Sequence, residues 1–161
     1  MSIMALQGSL EKFSQGEPVH LVFSAHSVPV SVITSGDPYK DQIEATVELV
    51  MRRGAWPHPY SICYQSKVGA SKWLQPSLHD TLHLLAAKGT KNLLVIPIAF
   101  VSDHVETLNE IDLEARKEAE DLGIEHFEMM PGLNDSPKFV QALAGLVLEA
   151  VRAEQLSVTC V

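Results

Sequence analysis

"NLLVIPIAFVSDHVETLNEIDLE", from Asn92 to Glu114, contains the change of period that decides the fold. Its first part, Asn92 to Phe100, is an almost unbroken apolar run, which predicts a strand covered on both faces. Its second part passes through the short polar loop Val101 to His104 into a helix expected to run to about Leu122, closed by Gly123. Along that helix Glu106, Glu110, Glu114 and Glu118 recur every four positions, a spacing that shares one helix face. A buried strand feeding a helix is half of a βαβ unit.

The same pattern repeats outward in both directions. "VHLVFSA" (Val19 to Ala25) precedes a helix around Lys40 to Arg53, and "PYSICYQS" (Pro59 to Ser66) precedes one around Ser77 to Lys88. "IEHFEM" (Ile124 to Met129) precedes a last helix from about Pro137 to Arg152, with Ser136 as its cap. Strands alternating with helices at this spacing predict an α/β fold with a four-stranded parallel sheet and flanking helices. Ile3, Leu6, Leu10 and Phe13 add an N-terminal amphipathic helix. The expected division is a helix and linker over 1–17, an α/β lobe over 18–152 and a tail over 153–161.

With 161 residues, 46% hydrophobic and 20% charged, the chain suits one globular domain. A net charge of −8 argues against nucleic acid as the main partner and favours cationic ligands. Cys63 and Cys160 are too far apart in sequence to form a metal-ligand motif, and Cys63 reads as a small buried strand residue in a reducing compartment. No apolar run reaches the roughly 18–20 residues that span a bilayer, and the first residues form neither a signal peptide nor an Arg-rich presequence.

Ligands of open α/β sheets bind outside the carboxyl ends of the strands. The loops leaving those ends here collect His26, Gln65, Ser66, Lys67, Trp73, Phe100, His104 and Glu106. Two readings of the glutamates stand side by side. One is a solvated acidic face, at a repulsion of roughly 0.2–0.5 kcal/mol per pair. The other is a file of hard oxygen ligands for a divalent cation. Glu106 and Glu110 have no basic neighbour at the forward helical spacings, whereas Asp112 has Arg116 and Glu114 has Lys117. His26 reads either as a hydrogen-bonded loop residue or as a group exchanging protons near neutrality. Trp73 and Phe100, with Met129 and Met130, suit the wall of a flat-ligand pocket or ordinary core. Lys67 suits an anionic substituent or open solvent. Trp56 and His58 sit in the connection into a strand, where packing is the expected role. No G-x-S-x-G, H-E-x-x-H, P-loop or G-x-G-x-x-G motif occurs.

Four motifs in order, "LVFSAHSVPVSVITSGDPY", "PYSICYQSKVGASKWLQP", "PIAFVSDHVETLNEID" and "LNDSP", closely resemble the C-terminal half of ferrochelatase over roughly residues 19 to 150. That family inserts ferrous iron into protoporphyrin IX to make protohaem. The resemblance implies a chelatase-like three-layer α/β sandwich with His26 as acceptor of a pyrrole proton. It implies that Glu106 faces His26 in proton or metal handling, and that Asp103, His104, Glu110 and Glu114 belong to an acidic metal path along a helix with a widened π-type turn. Ser66, Trp73 and Phe100 match positions bordering the macrocycle, and Lys67 is grouped with them as a porphyrin-binding candidate. The resemblance gives Glu118 no role.

The family has two such lobes, and the motifs cover only the second. The chain is therefore expected to be a fragment or one half of a split enzyme that works with a first lobe. Two alternatives are a single-lobe chelatase of another tetrapyrrole that dimerises to rebuild the cleft, and a non-catalytic porphyrin- or metal-binding remnant. Fe²⁺ is expected as substrate, no resident cofactor is required, and Cys160 alone cannot hold the [2Fe–2S] cluster of some members. Expected partners are protoporphyrin IX, the first lobe or a second copy, and a membrane surface through peripheral association. Localisation is expected in the cytoplasm for a bacterial source, and on the matrix side of the mitochondrial inner membrane for a eukaryotic one.

Overall fold

The computed structural model describes residues 3–67 and 69–158, with 153–158 as backbone alone. Strands β1 (Val19–His26), β2 (Tyr60–Gln65), β3 (Asn92–Pro97) and β4 (His126–Met129) form one parallel sheet in the order β2-β1-β3-β4. Every residue of β3 is buried, as its unbroken apolar run requires. The register sets His26 opposite Gln65 and Ser24 opposite Pro97. The carboxyl ends of β1 and β2 therefore finish side by side.

The helices are α1 (Ile3–Leu10), α2 (Val30–Thr34), α3 (Tyr39–Gly54), α4 (Leu78–Ala87), α5 (Val105–Thr107), α6 (Arg116–Asp121) and α7 (Pro137–Val158), with a π-helical segment over Leu108–Ala115. Alternate strand residues serve opposite layers. Val22, Cys63, Leu93 and Val95 pack with Leu78, Leu82 and Leu85 of α4 and with Ile111, Ala115 and Ala119. Leu21, Phe23, Leu94 and Ile96 pack with Leu6, Phe13, Val47 and Val50 on the other side. These two cores make the three-layer sandwich. Burial pushes the Cys63 thiol up to about 12, so it is a neutral core group.

Two helices gain detail beyond the sequence expectation. The N-terminal helix is built into the second core: Leu6 is fully buried, and Trp56 Nε1 donates to Gln7 Oε1 at 2.9 Å. The last helix continues to Val158, past the expected end at Arg152, and Cys160 lies outside the described residues. The expected helix over His104 to Leu122 is α5, the π segment and α6 end to end, with the wide turn that the family resemblance implied in its middle.

That wide turn has a physical reason. Thr107, Ile111, Ala115 and Ala119 are all buried, each four residues from the last. In an α-helix four residues overshoot a full turn by about 40°. In a π turn, at about 80° per residue, four residues fall short by about 40°. With two such steps across the π segment and one in α6, the net drift is about 40° rather than the roughly 120° of an unbroken α-helix, so the same face stays on the sheet. The four glutamates, each one position earlier, are held in line by the same compensation.

Candidate metal and proton-transfer site

β1 delivers His26 to the carboxyl edge, where its carbonyl accepts a hydrogen bond from the Tyr39 hydroxyl at 2.8 Å. The imidazole is 41% exposed, yet its Nδ1 is buried and has no hydrogen-bond partner. Glu106 Oε1 lies 4.0 Å from that nitrogen. This is too long for a hydrogen bond, so the two groups face each other unbonded. Phe100 meets the imidazole edge-on at 5.9 Å between ring centres. Together with Val28, Tyr39 and Ala99, these side chains line a mostly apolar hollow of about 340 Å³.

Unpartnered polar atoms concentrate at the same edge. Among the described residues, the buried side-chain atoms with no hydrogen bond are His26 Nδ1, Ser27 Oγ, Tyr64 Oη, Gln65 Nε2 and Trp73 Nε1. All belong to the carboxyl ends of β1 and β2 or to the loop after β2. Each such group ordinarily costs about 1–3 kcal/mol when left unsatisfied, so this edge holds hydrogen-bonding capacity that the chain's own side chains do not use. Burial pushes the Tyr64 phenol up to about 12 and keeps it a neutral donor.

A second cleft, of about 420 Å³, runs between β2, α4 and the composite helix, lined by Ser66, Lys67, Glu110, Glu114 and Glu118 among others. Ser66 takes a left-handed backbone, φ 62°, and its hydroxyl donates to Glu110 Oε2 at 2.6 Å. The non-glycine residue in this costly conformation thus fixes the orientation of a cleft carboxylate. Asn109 Nδ2 donates to Glu114 Oε1 at 2.8 Å, five residues apart, the side-chain spacing that the π turn creates. Glu106 stands in the first hollow and Glu110 in the second, so the helix threads one file through both.

The remaining expected residues separate from this file. Asp103 accepts from Gly132 N at 2.8 Å and from Asn134 Nδ2 at 2.8 Å, so its carboxylate clasps the loop after β4. His104 caps α5 by accepting from Glu106 N at 3.3 Å, and it stacks on Phe100 at 6.2 Å. Both residues position the Phe100–Glu106 loop, and neither lines either hollow. Lys67 lines the acidic cleft and not the hollow at His26. Trp73 pairs with Pro29 in an antiparallel bridge, which ties the loop after β2 to the loop after β1.

The sequence reading named Glu118 but left it without a role, and did not single out His79 or His83. Glu118 accepts from or pairs with both imidazoles, His83 Nε2 at 3.1 Å and His79 Nδ1 closer still. The available signal was "HDTLH", two histidines four apart on a helix face.

The family model described as Ferrochelatase matches residues 2–151. A ferrochelatase of Picosynechococcus sp. is 46% identical over 147 residues, which is 91% of this chain and 38% of the relative. One from Geotalea uraniireducens is 48% identical over 149 residues, 92% of this chain and 46% of the relative. The chain thus spans less than half the length of these curated relatives. Among solved structures, a putative cobalamin (vitamin B12) biosynthesis CbiX protein from Marinobacter aquaeolei aligns with a TM-score of 0.56 at 15% identity, over 84% of this chain and 99% of that one, a likeness of fold.

Proposed function

The chain belongs to the ferrochelatase family, and from that premise we propose that it is the metal-handling lobe of a chelatase inserting Fe²⁺ into protoporphyrin IX to form protohaem. One observation carries the reading: His26 Nδ1 is buried, unbonded and 4.0 Å from Glu106 Oε1, at the head of the carboxylate file. Insertion breaks two pyrrole N–H bonds, forms four Fe–N bonds and releases two protons, one to His26 and one through the carboxylates to solvent. His26 accepts a pyrrole proton through a ring nitrogen. Glu106 presents the ion to the macrocycle as a hard oxygen ligand, held less tightly than by thiolate and so able to release it. Glu110 and Glu114 pass ions inward or protons outward. Phe100, Trp73, Ser66 and Lys67 border the porphyrin on this lobe.

A first lobe completes the cleft in this reading, and the orphaned polar atoms at the β1–β2 edge are the surface it or the porphyrin meets. Fe²⁺ is substrate, and no resident cofactor or iron–sulfur cluster is proposed. The relatives named above are bacterial, and no helix among the described residues is long and apolar enough to cross a membrane. We place the protein in the cytoplasm, with peripheral contact to a membrane as the route for its apolar porphyrin. A second reading, two copies facing each other, is supported by the solved neighbour, whose whole chain is one such lobe.

The test is porphyrin metallation by the purified chain, alone and mixed with the N-terminal portion of the Geotalea relative. The expected result is turnover in the mixture, reduced about 10²–10⁴-fold by His26→Ala. Turnover by the chain alone, with second-order dependence on its concentration, supports the paired-copy reading instead. No turnover under either condition contradicts both.

A further inference from the structure

We propose that His79, His83 and Glu118 form a divalent-metal site at the outer mouth of the acidic cleft, where an ion is captured before it enters the glutamate file. The loading role rests on the function proposed above; the metal site itself does not. One ligand atom from each of the three residues lies within 4.8 Å of the others. A tetrahedral site with bonds of ~2.1 Å has ligand–ligand edges of about 3.4 Å, so small side-chain rotations are enough to close it.

The helix geometry explains the convergence. His79 and His83 are four apart on α4, and their rings stand 4.4 Å from centre to centre on one face. Leu78, Leu82 and Leu85 turn the opposite face of α4 into the core against Ala115 and Ala119. Those alanines keep the two helices close, which brings Glu118 of α6 under both imidazoles. His79 and His83 are at least half exposed and Glu118 is 28% exposed, so an ion arrives from solvent with little desolvation of the protein groups.

The donor set chooses the metal. Two imidazoles and one carboxylate suit first-row divalent ions, Fe²⁺, Co²⁺ or Zn²⁺, and leave a coordination position open for water. Mg²⁺ and Ca²⁺ prefer all-oxygen shells. The all-oxygen Glu114 and Glu110 lie further along the same cleft wall. An outer station with nitrogen ligands selects the ion, and the glutamates beyond it bind more loosely and let it move.

The experiment titrates metal-free full-length chain with Co²⁺ and reads the visible ligand-field bands that distinguish four- or five-coordinate cobalt from the hydrated ion. One equivalent with intense bands is expected in the wild type and in the His26→Ala/Glu106→Gln double variant. His79→Ala/His83→Ala is expected to weaken that binding at least tenfold, with its metal-free melting temperature unchanged because both rings are exposed. His79→Asn/His83→Asn, which keeps side-chain polarity, should behave alike. Indistinguishable titrations of the wild type and the His79/His83 variants overturn the site, as does loss of the bands in His26→Ala/Glu106→Gln. In the reconstituted metallation assay, His79→Ala/His83→Ala should raise the metal KM about three- to tenfold at unchanged porphyrin KM. An unchanged metal KM there overturns the loading role. A mixture without any turnover, with cobalt bands still dependent on His79 and His83, counts against the chelatase reading while upholding the site.

Discussion

At the end of α3, Ala55 holds φ 51°, the left-handed conformation that a helix cap usually gives to glycine, while Gly54 just before it stays helical. The reason is the Trp56 ring, which packs where a Gly54 side chain would stand: an added Cβ would come within 2.2 Å of Cε3. Glycine is needed at 54 for space, and alanine at 55 bears the backbone cost. Ala55→Gly should therefore stabilise the protein by about 0.5–1 kcal/mol. Gly54→Ala should destabilise it by about 1–3 kcal/mol. Urea unfolding of the two variants checks the pair of signs. The same backbone cost recurs at Ser66, whose hydroxyl holds Glu110 in the acidic cleft.

At the scale of elements, the π segment links packing to the carboxylate file. Leu113 lies inside it and is 64% exposed, so deleting it removes no core contact. The deletion lets the segment close into an α-helix with buried positions spaced four, three and four apart, a good α pattern. Thermal stability is expected to stay level or rise, because i→i+5 turns are the costlier geometry. The metal KM of the reconstituted enzyme is expected to rise severalfold, since Glu114 loses its Asn109 contact and its place in line. Melting curves and metallation kinetics on one preparation check both parts.

Strand and helix order was legible because the sheet is covered on both sides, and β3 shows this as an unbroken apolar run. The four-residue period of Glu106 to Glu118 was equally visible, but it looked like a plain α-helical face. Its strictness, shared by Thr107, Ile111, Ala115 and Ala119, is the signature of the wide turn, and an α-helix would have drifted. What stayed hidden depends on contacts between distant segments. Asp103 is consumed by Gly132 and Asn134, and Glu118 meets two histidines of α4 some thirty-five residues earlier in the chain. No local pattern announces either.

For the whole molecule, the proposed function divides into two separable tasks at the carboxyl edge of the sheet. In that proposal His26 moves protons at the porphyrin, and the glutamates with the outer histidines handle the metal. Steady-state metallation by the chain together with a first lobe, with metal and porphyrin varied independently, separates them in a single measurement. His26→Ala should lower kcat about 10²–10⁴-fold with little change in metal KM. Glu110→Gln should raise the metal KM about three- to tenfold, leaving porphyrin KM where it was. Equal losses of kcat in both variants, or an unchanged metal KM in Glu110→Gln, would contradict the division of labour.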